Sequence, residues 1–220
     1  MEISIMDSSS TLIEQVEMAE HPVEQTSKGQ GSPARHSIWR TAILFTLFTG
    51  LVLGVGYPLL ITGIAHVVFP YQANGSLILK NGQVIGSKLL AQSFTSNRYF
   101  HPRPSAVGYD AEGSGGSNLA QTNAALIQRI QGAINKLQAR NPGKPVPIDM
   151  VTESGSGLDP DITPDNAFYQ APRVAKARGV SVAAIDALIR QHIQGRELGF
   201  LGEPRVNVLE LNLALNKMGK

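Results

Sequence analysis

The chain has 220 residues, a formal net charge of +2, 42% hydrophobic residues and no cysteine. So small a charge, with no basic patch, excludes a nucleic-acid-binding surface. The lack of cysteine excludes a disulfide scaffold and thiolate metal sites, and it suits an oxidising compartment in which a free thiol is a liability.

Residues 1–37 open the chain. Glu14, Glu17 and Glu24, with Leu12, Ile13, Val16 and Met18, allow a short amphipathic helix before Ser, Gly, Gln and Pro take over. Too little apolar surface is present to offset ordering entropy, so a disordered cytoplasmic tail is expected, with a docking segment as the alternative. The stretch Thr41–Phe69 carries no Lys, Arg, Asp or Glu. A helix rises about 1.5 Å per residue, so roughly 20 apolar residues cross the hydrocarbon, and this run predicts one transmembrane anchor over 38–69. Lys28, Arg35 and Arg40 precede it, and the next charge beyond it is Lys80. The positive side stays in the cytoplasm, so residues 70–220 are expected outside the cell's inner membrane, on a single-pass chain. A cleaved signal peptide would need a shorter apolar core, about 7–15 residues, nearer the N-terminus. Gly50 and Gly54 form a G-x-x-x-G that lets another helix approach closely, or they are simply glycines common in membrane helices. Pro58 removes one internal hydrogen bond and is expected to kink the helix. With no ionisable residue mid-span, the helix reads as an anchor and packing partner rather than an ion path.

Beyond the span, roughly 150 residues suffice for one soluble domain. Asn81-Gly82 predicts a tight hairpin joining strands at 76–80 and 83–87. Pro102 and Pro104 keep FTSNRYFHPRPS extended. Its Tyr99, Phe100, His101 and Arg103 either clamp a partner or plug the edge of the core. Ser117 or Asn118 is placed as the cap of a helix over Leu119–Arg140, which Asn141-Pro142-Gly143 ends. Ile148–Val151 reads as a short buried strand. Thr163-Pro164 starts a helix that Ala171-Pro172-Arg173 interrupts, and Gly179 closes the turn that follows. Ser181 caps VAAIDALIRQHI. The alternation of Leu209, Leu211, Leu213 and Leu215 predicts a half-buried strand, with an amphipathic helix over its second half as the alternative. The fold class expected is α+β: a single N-terminal transmembrane helix followed by one mixed α/β extracytoplasmic domain.

For chemistry, the loop Ser154-Gly155-Ser156-Gly157 follows the expected strand, and its backbone N–H groups could cradle a phosphate. The G-x-x-x-x-G-K-[ST] pattern is absent. A nucleophilic serine needs a base, and the domain has only His101 and His192, without a G-x-S-x-G context. No metal-ligand or calcium-loop spacing is present, so neither catalytic residues nor a metal site is expected. Spacing alone yields a membrane-anchored extracytoplasmic domain with an unknown partner.

The motifs HPRPSA (101–106), SGGSNLAQTN (114–123), VTESGSGLDPDITPDNA (151–167), Gln170 with PRVAKARGV (172–180) and LGFLGEPRVNVLELNLAL (198–215) occur in one order. Together they resemble the C subunit of the Kdp potassium-transporting ATPase, over about residues 38–220; the tail lies outside the resemblance. What the resemblance implies is an accessory, non-catalytic subunit in the membrane lipid, beside a potassium-translocating subunit, a P-type ATPase subunit and a very small membrane peptide. ATP and potassium belong to that complex rather than to this chain, and the D-K-T-G-T motif of the phosphorylated subunit is absent here.

Two accounts of such a subunit follow from the resemblance. In one it is a catalytic chaperone that raises ATP affinity, and Ser154, Gly155, Ser156 and Gly157 match a signature loop of ABC ATPases, departing from it at Leu158-Asp159 where that loop closes with glutamine. In the other the domain lies outside, over the potassium entrance, where Asp110, Glu112 or Asp159 would act on the cation electrostatically. His101 and Arg103 are further partner-facing candidates. The charges flanking the span favour the outside location. The rival reading is a stand-alone anchored binding protein or hydrolase.

Overall fold

The computed structural model describes residues 35–218. The expected disordered tail, except for its last residues, and its short acidic helix lie outside the described residues. Two compact units divide between Leu60 and Ile61.

A continuous helical stretch of 32 residues, Ser37–Val68, has a mean hydropathy of 2.0 and none of its most apolar window buried. It comprises α1 (Arg35–Leu51), a π-helical turn (Val52–Gly56) and α2 (Tyr57–Val68). The expected disturbance at Pro58 takes the form of this wider turn, in which the Tyr57 N–H reaches back to the Val52 carbonyl. Pro58 has no N–H to offer, and its ring crowds the Gly54 carbonyl, so one residue is absorbed to keep the ladder closed. Thr49 and Thr41 turn their hydroxyls to carbonyls one turn earlier, at 2.7 and 2.9 Å, so neither of these hydroxyls meets hydrocarbon unpaired.

After α2 come a short helix, α3 (Pro70–Ala73), and a hairpin of β1 (Leu77–Lys80) and β2 (Gln83–Ser87). Asn81 and Gly82 adopt φ of 54° and 79°, the type I′ turn that their sequence predicts. Next comes α4 (Ala124–Arg140). It starts later than expected because Asn123, not Ser117 or Asn118, supplies the cap, accepting from the Ala125 N–H at 2.8 Å. Ile148–Val151 is not a buried strand. Ile148–Met150 is a 3₁₀ turn in which Ile148 is 74% exposed and Asp149 is buried. The Asp149 carboxylate points inward to accept from the Thr163 and Asn166 nitrogens at 2.8 and 2.9 Å, which an extended segment would not allow.

The remaining elements are β3 (Asp161–Ile162), α5 (Pro164–Arg178), α6 (Val182–His192), β4 (Ile193–Gln194), β5 (Arg205–Asn207) and α7 (Val208–Lys217). Thr163 and Ser181 cap α5 and α6, and Gly179 closes α5 at φ 69°, as the sequence predicts. Pro172 does not interrupt α5. Burial of Ala171, Val174 and Ala175 on either side of it holds the helix through the one missing hydrogen bond. The predicted strand across 205–215 shrinks to β5. Asn207 accepts from the Glu210 N–H at 3.1 Å and starts a helix there, and Val208, Leu211 and Leu215 then share a buried face at helical spacing. Strand order is β3-β5-β4, antiparallel throughout. Val206 at the centre pairs with Ile162 on one side and Ile193 on the other, and α5, α6 and α7 build the core with it around Phe100. The class is α+β, as expected.

Candidate functional site

The proline-bounded segment at 94–105 passes through the core rather than over it. Phe100 is fully buried, so its extended backbone needs partners that no strand supplies. Two carboxamides provide them. Asn212 on α7 accepts from the Phe100 N–H at 2.8 Å and donates to its carbonyl at 2.9 Å. Gln170 on α5 does the same for His101, at 2.9 and 3.0 Å. Both amides are almost wholly buried. A polar chain continues from Gln170 through Asn166, at 2.7 Å, to Asp149. Buried backbone groups must be paired, and here side chains imitate a β-ladder. Of the two roles expected for the aromatics, Phe100 fills the core. Tyr99 is half-buried, stacks obliquely on Phe94 and lies under the Arg178 guanidinium at 5.1 Å.

Arg103 sits at the base of the glycine loop. It donates to Asp159 Oδ2 at 3.0 Å and to the Glu153 carbonyl at 3.3 Å, and so ties both ends of Ser154–Gly157 together. Arg129 of α4 pairs with Glu153 from the other side. The loop lies against residues 105–116. The Ser156 carbonyl accepts from the Gly115 N–H at 2.8 Å and the Ser114 hydroxyl at 3.2 Å. Gly157 has φ 69°, and a Cβ there would lie 2.6 Å from Val107 Cγ2 and 2.8 Å from the Gly115 carbonyl oxygen. Close loop packing therefore accounts for Gly157, whereas a Cβ on Gly155 meets nothing within 4 Å. Ser154 is buried and Ser156 exposed. An open hollow of about 490 Å³ borders the loop, with Leu89, Arg103 and Pro160 on its walls.

The structure brings Arg103 and Asp159 together with the loop and leaves Asp110 and Glu112 apart from it, exposed in a turn where Asp110 Oδ1 accepts from the Glu112 N–H at 3.0 Å. A Cβ at Gly50 or Gly54 meets nothing within 4 Å. Among the described residues no group of His, Cys, Asp and Glu gathers as a metal site. His101 and His192 direct ring nitrogens at the Ser96 and Leu188 carbonyls, at 3.0 and 2.8 Å. Burial, then the Arg173 charge, holds His101 below the usual histidine range. Burial, then the nearby Arg140, pushes the Arg173 guanidinium down to about 10. Asp161 rises because it is buried.

Sequence reasoning missed an exposed apolar tip between β4 and β5. Leu198 and Phe200 are 82% and 69% exposed. The loop carrying them is held by Glu197–Leu201 backbone bonds at 2.9 Å, by Arg196–Glu203 at 2.8 Å and by Arg205–Glu197 at 3.2 Å. The signal was Gly199 and Gly202 punctuating the apolar run Leu198, Phe200 and Leu201, which belongs to no periodic pattern.

One apolar span joined to an α+β domain with a braced, exposed apolar loop defines a membrane-anchored chain. The family model described as K+-transporting ATPase, c chain, matches residues 39–217. The Potassium-transporting ATPase KdpC subunit of Acidobacterium capsulatum is 58% identical over 183 residues, covering 81% of this chain and 97% of that protein. The subunits of the same description from Koribacter versatilis and Rhodopseudomonas palustris are 53% and 51% identical, covering 80% of this chain and 92% and 96% of theirs. The chain belongs to the KdpC family, as the sequence motifs led us to expect, and so is an accessory subunit of the potassium-transporting ATPase complex.

Proposed function

We propose that this subunit stabilises assembly of the complex through its membrane helix, and that its domain lies outside the cell over the potassium entrance. Any effect on the ATP affinity of the ATPase subunit is then relayed through the partners rather than made by contact at Ser154–Gly157. The observation that carries this reading is the charge asymmetry about the span: Arg40 and Arg35 lie on one side, and the next charge on the other is Lys80. Lys and Arg near a span are retained on the cytoplasmic side. ATP is cytoplasmic, so a loop on the far side acts on it only at a distance. Support comes also from the loop itself, where Asp159 neutralises Arg103 and packing takes up Gly157.

Because the chain has no cysteine, Ser156→Cys introduces a single exposed thiol. Labelling of intact cells by a membrane-impermeant maleimide is the expected result. Labelling only after permeabilisation overturns the outside location and restores direct ATP contact. For the helix, Gly50→Leu with Gly54→Leu is expected to reduce recovery of the intact complex. The space around both glycines within this chain is open, so any loss reports a lost partner contact; undiminished recovery counts against the packing role.

A further inference from the structure

A cavity of about 620 Å³ opens between the end of α4 and one face of α5. Arg140, Arg173 and Lys176 stand in its wall with apolar Leu137, Met150 and Tyr169. A smaller hollow of about 250 Å³ shares Leu137, Arg140, Met150, Gln170 and Arg173 and adds His101. Neither lining contains an Asp or Glu. Arg140 ends α4, and Arg173 and Lys176 are three residues apart on α5 and so share a face.

Four other arginines of the domain are treated differently. Arg103, Arg129, Arg196 and Arg205 each meet a carboxylate: Asp159, Glu153, Glu203, and both Asp161 and Glu197. Among the described residues, Arg140, Arg173 and Lys176 form no ion pair. Arg173 gives its guanidinium to neutral acceptors, the Asn97 and Tyr99 carbonyls at 2.8 and 3.0 Å and Gln170 Oε1 at 2.6 Å. Arg140 makes no hydrogen bond among the described residues, and its charge depresses both Arg173 and His101. Like charges gathered without a counter-ion repel, and here three of them face one cavity whose lining holds no carboxylate.

We propose that this cleft binds a phosphate-bearing ligand, held by Arg140, Arg173 and Lys176, with Leu137, Met150 and Tyr169 receiving the organic part next to the phosphate. A phosphate oxyanion matches a guanidinium fork with two oxygens and retains others for a second cation. A phosphate monoester carries up to about two negative charges, against one on a single carboxylate. Half-apolar walls and the cavity's size are those of a small-molecule site. The same chemistry is offered by a phospholipid headgroup or by a soluble phosphate ester. The cleft is distinct from the Ser154–Gly157 loop, and the inference does not depend on which side of the membrane the domain occupies.

The test uses the full chain in a maltoside detergent, which carries no phosphate. Calorimetry and thermal shift are run with glycerol phosphate, with succinate, and with nanodiscs of phosphatidylglycerol or of a neutral glycolipid. Saturable binding of glycerol phosphate, or selective binding of phosphatidylglycerol nanodiscs, is expected; the first identifies a soluble ester and the second a headgroup. Arg140→Gln and Lys176→Gln, neither of which removes a side-chain hydrogen bond or ion pair among the described residues, should each weaken that binding about tenfold through loss of one charge-assisted contact. Lys136→Gln, on α4 but outside the cavity lining, should not. The proposal is overturned if no phosphate probe binds, if succinate binds as well as glycerol phosphate, or if both glutamine variants bind like the wild type.

Discussion

Asn212→Leu removes one amide and leaves Phe100 with neither of its backbone partners. The residue is 2% exposed, and its bonds to the Phe100 N–H and carbonyl are 2.8 and 2.9 Å long. Leucine has a similar volume, so the change isolates hydrogen bonding from cavity formation. Each buried group left unpaired costs about 1–3 kcal/mol. Two such groups, less the modest gain from burying leucine, give a loss of about 2–4 kcal/mol. At about 2–4 °C per kcal/mol for a chain of this size, the melting temperature should fall by about 5–15 °C. Circular dichroism of the full chain in detergent reads this directly, with exposed Asn135→Leu as the control. Hydrogen exchange should show the Phe100 amide losing protection before the amides of α6. A fall of less than about 2 °C would mean that water or a shifted backbone satisfies Phe100, and the carboxamide clamp would then not be what holds the segment.

Gly157→Ala should lower stability by about 2 kcal/mol or more, since the substituent meets backbone in a left-handed conformation, whereas Gly155→Ala should be nearly neutral; equal effects on melting temperature would point to a role for the loop other than packing. Leu198→Ser with Phe200→Ser should leave the melting temperature of the isolated chain unchanged and reduce its recovery with the partner subunits, because both side chains are exposed in the chain alone; unchanged recovery would remove this loop from the interface. Burial depresses His101 below its ordinary value of about 6.5. The unfolded chain therefore takes up a proton below about pH 6.5 that the folded chain resists. Stability present above that pH should decline as pH falls toward the folded-state value, and His101→Gln should flatten the melting-temperature profile below about pH 6.5.

Local signals were read correctly where one residue decides an outcome: the apolar span, the Asn81-Gly82 turn, and the caps Thr163, Ser181 and Gly179. The failures occurred where tertiary context decides. Leu209 to Leu215 satisfies strand alternation and helix spacing together, and the Asn207 cap chose the helix. Pro172 breaks an isolated helix but not one buried on both sides of the break. At the candidate site, Arg103, Asp159 and the glycine loop were named from sequence, yet their mutual pairing was not legible, because residues 103 and 159 are joined only by folding. Gln170 was visible as part of a motif. Its use as a surrogate strand for His101 was not, since no local pattern distinguishes a clamping amide from a solvated one.

That pairing separates the three acidic candidates for an electrostatic action on potassium. Asp159 holds Arg103 at 3.0 Å and also accepts from the Asp161 N–H, so the pair presents almost no net charge to an approaching ion. Asp110 and Glu112 are exposed and meet no cation in the described residues. Of the three candidates, these two are the ones left with uncompensated charge to act on potassium at the entrance. Unit charges in water attract by about 1 kcal/mol at 4 Å, less at the roughly 8 Å of one screening length. Asp110→Asn with Glu112→Gln should therefore weaken apparent potassium affinity of the complex about two- to fivefold at low ionic strength, and less at high salt. Asp159→Asn frees Arg103 and should act mainly through stability, lowering the melting temperature with little salt dependence of transport. An unchanged potassium affinity in the Asp110, Glu112 pair at low salt would end the electrostatic proposal and leave the domain a structural cap.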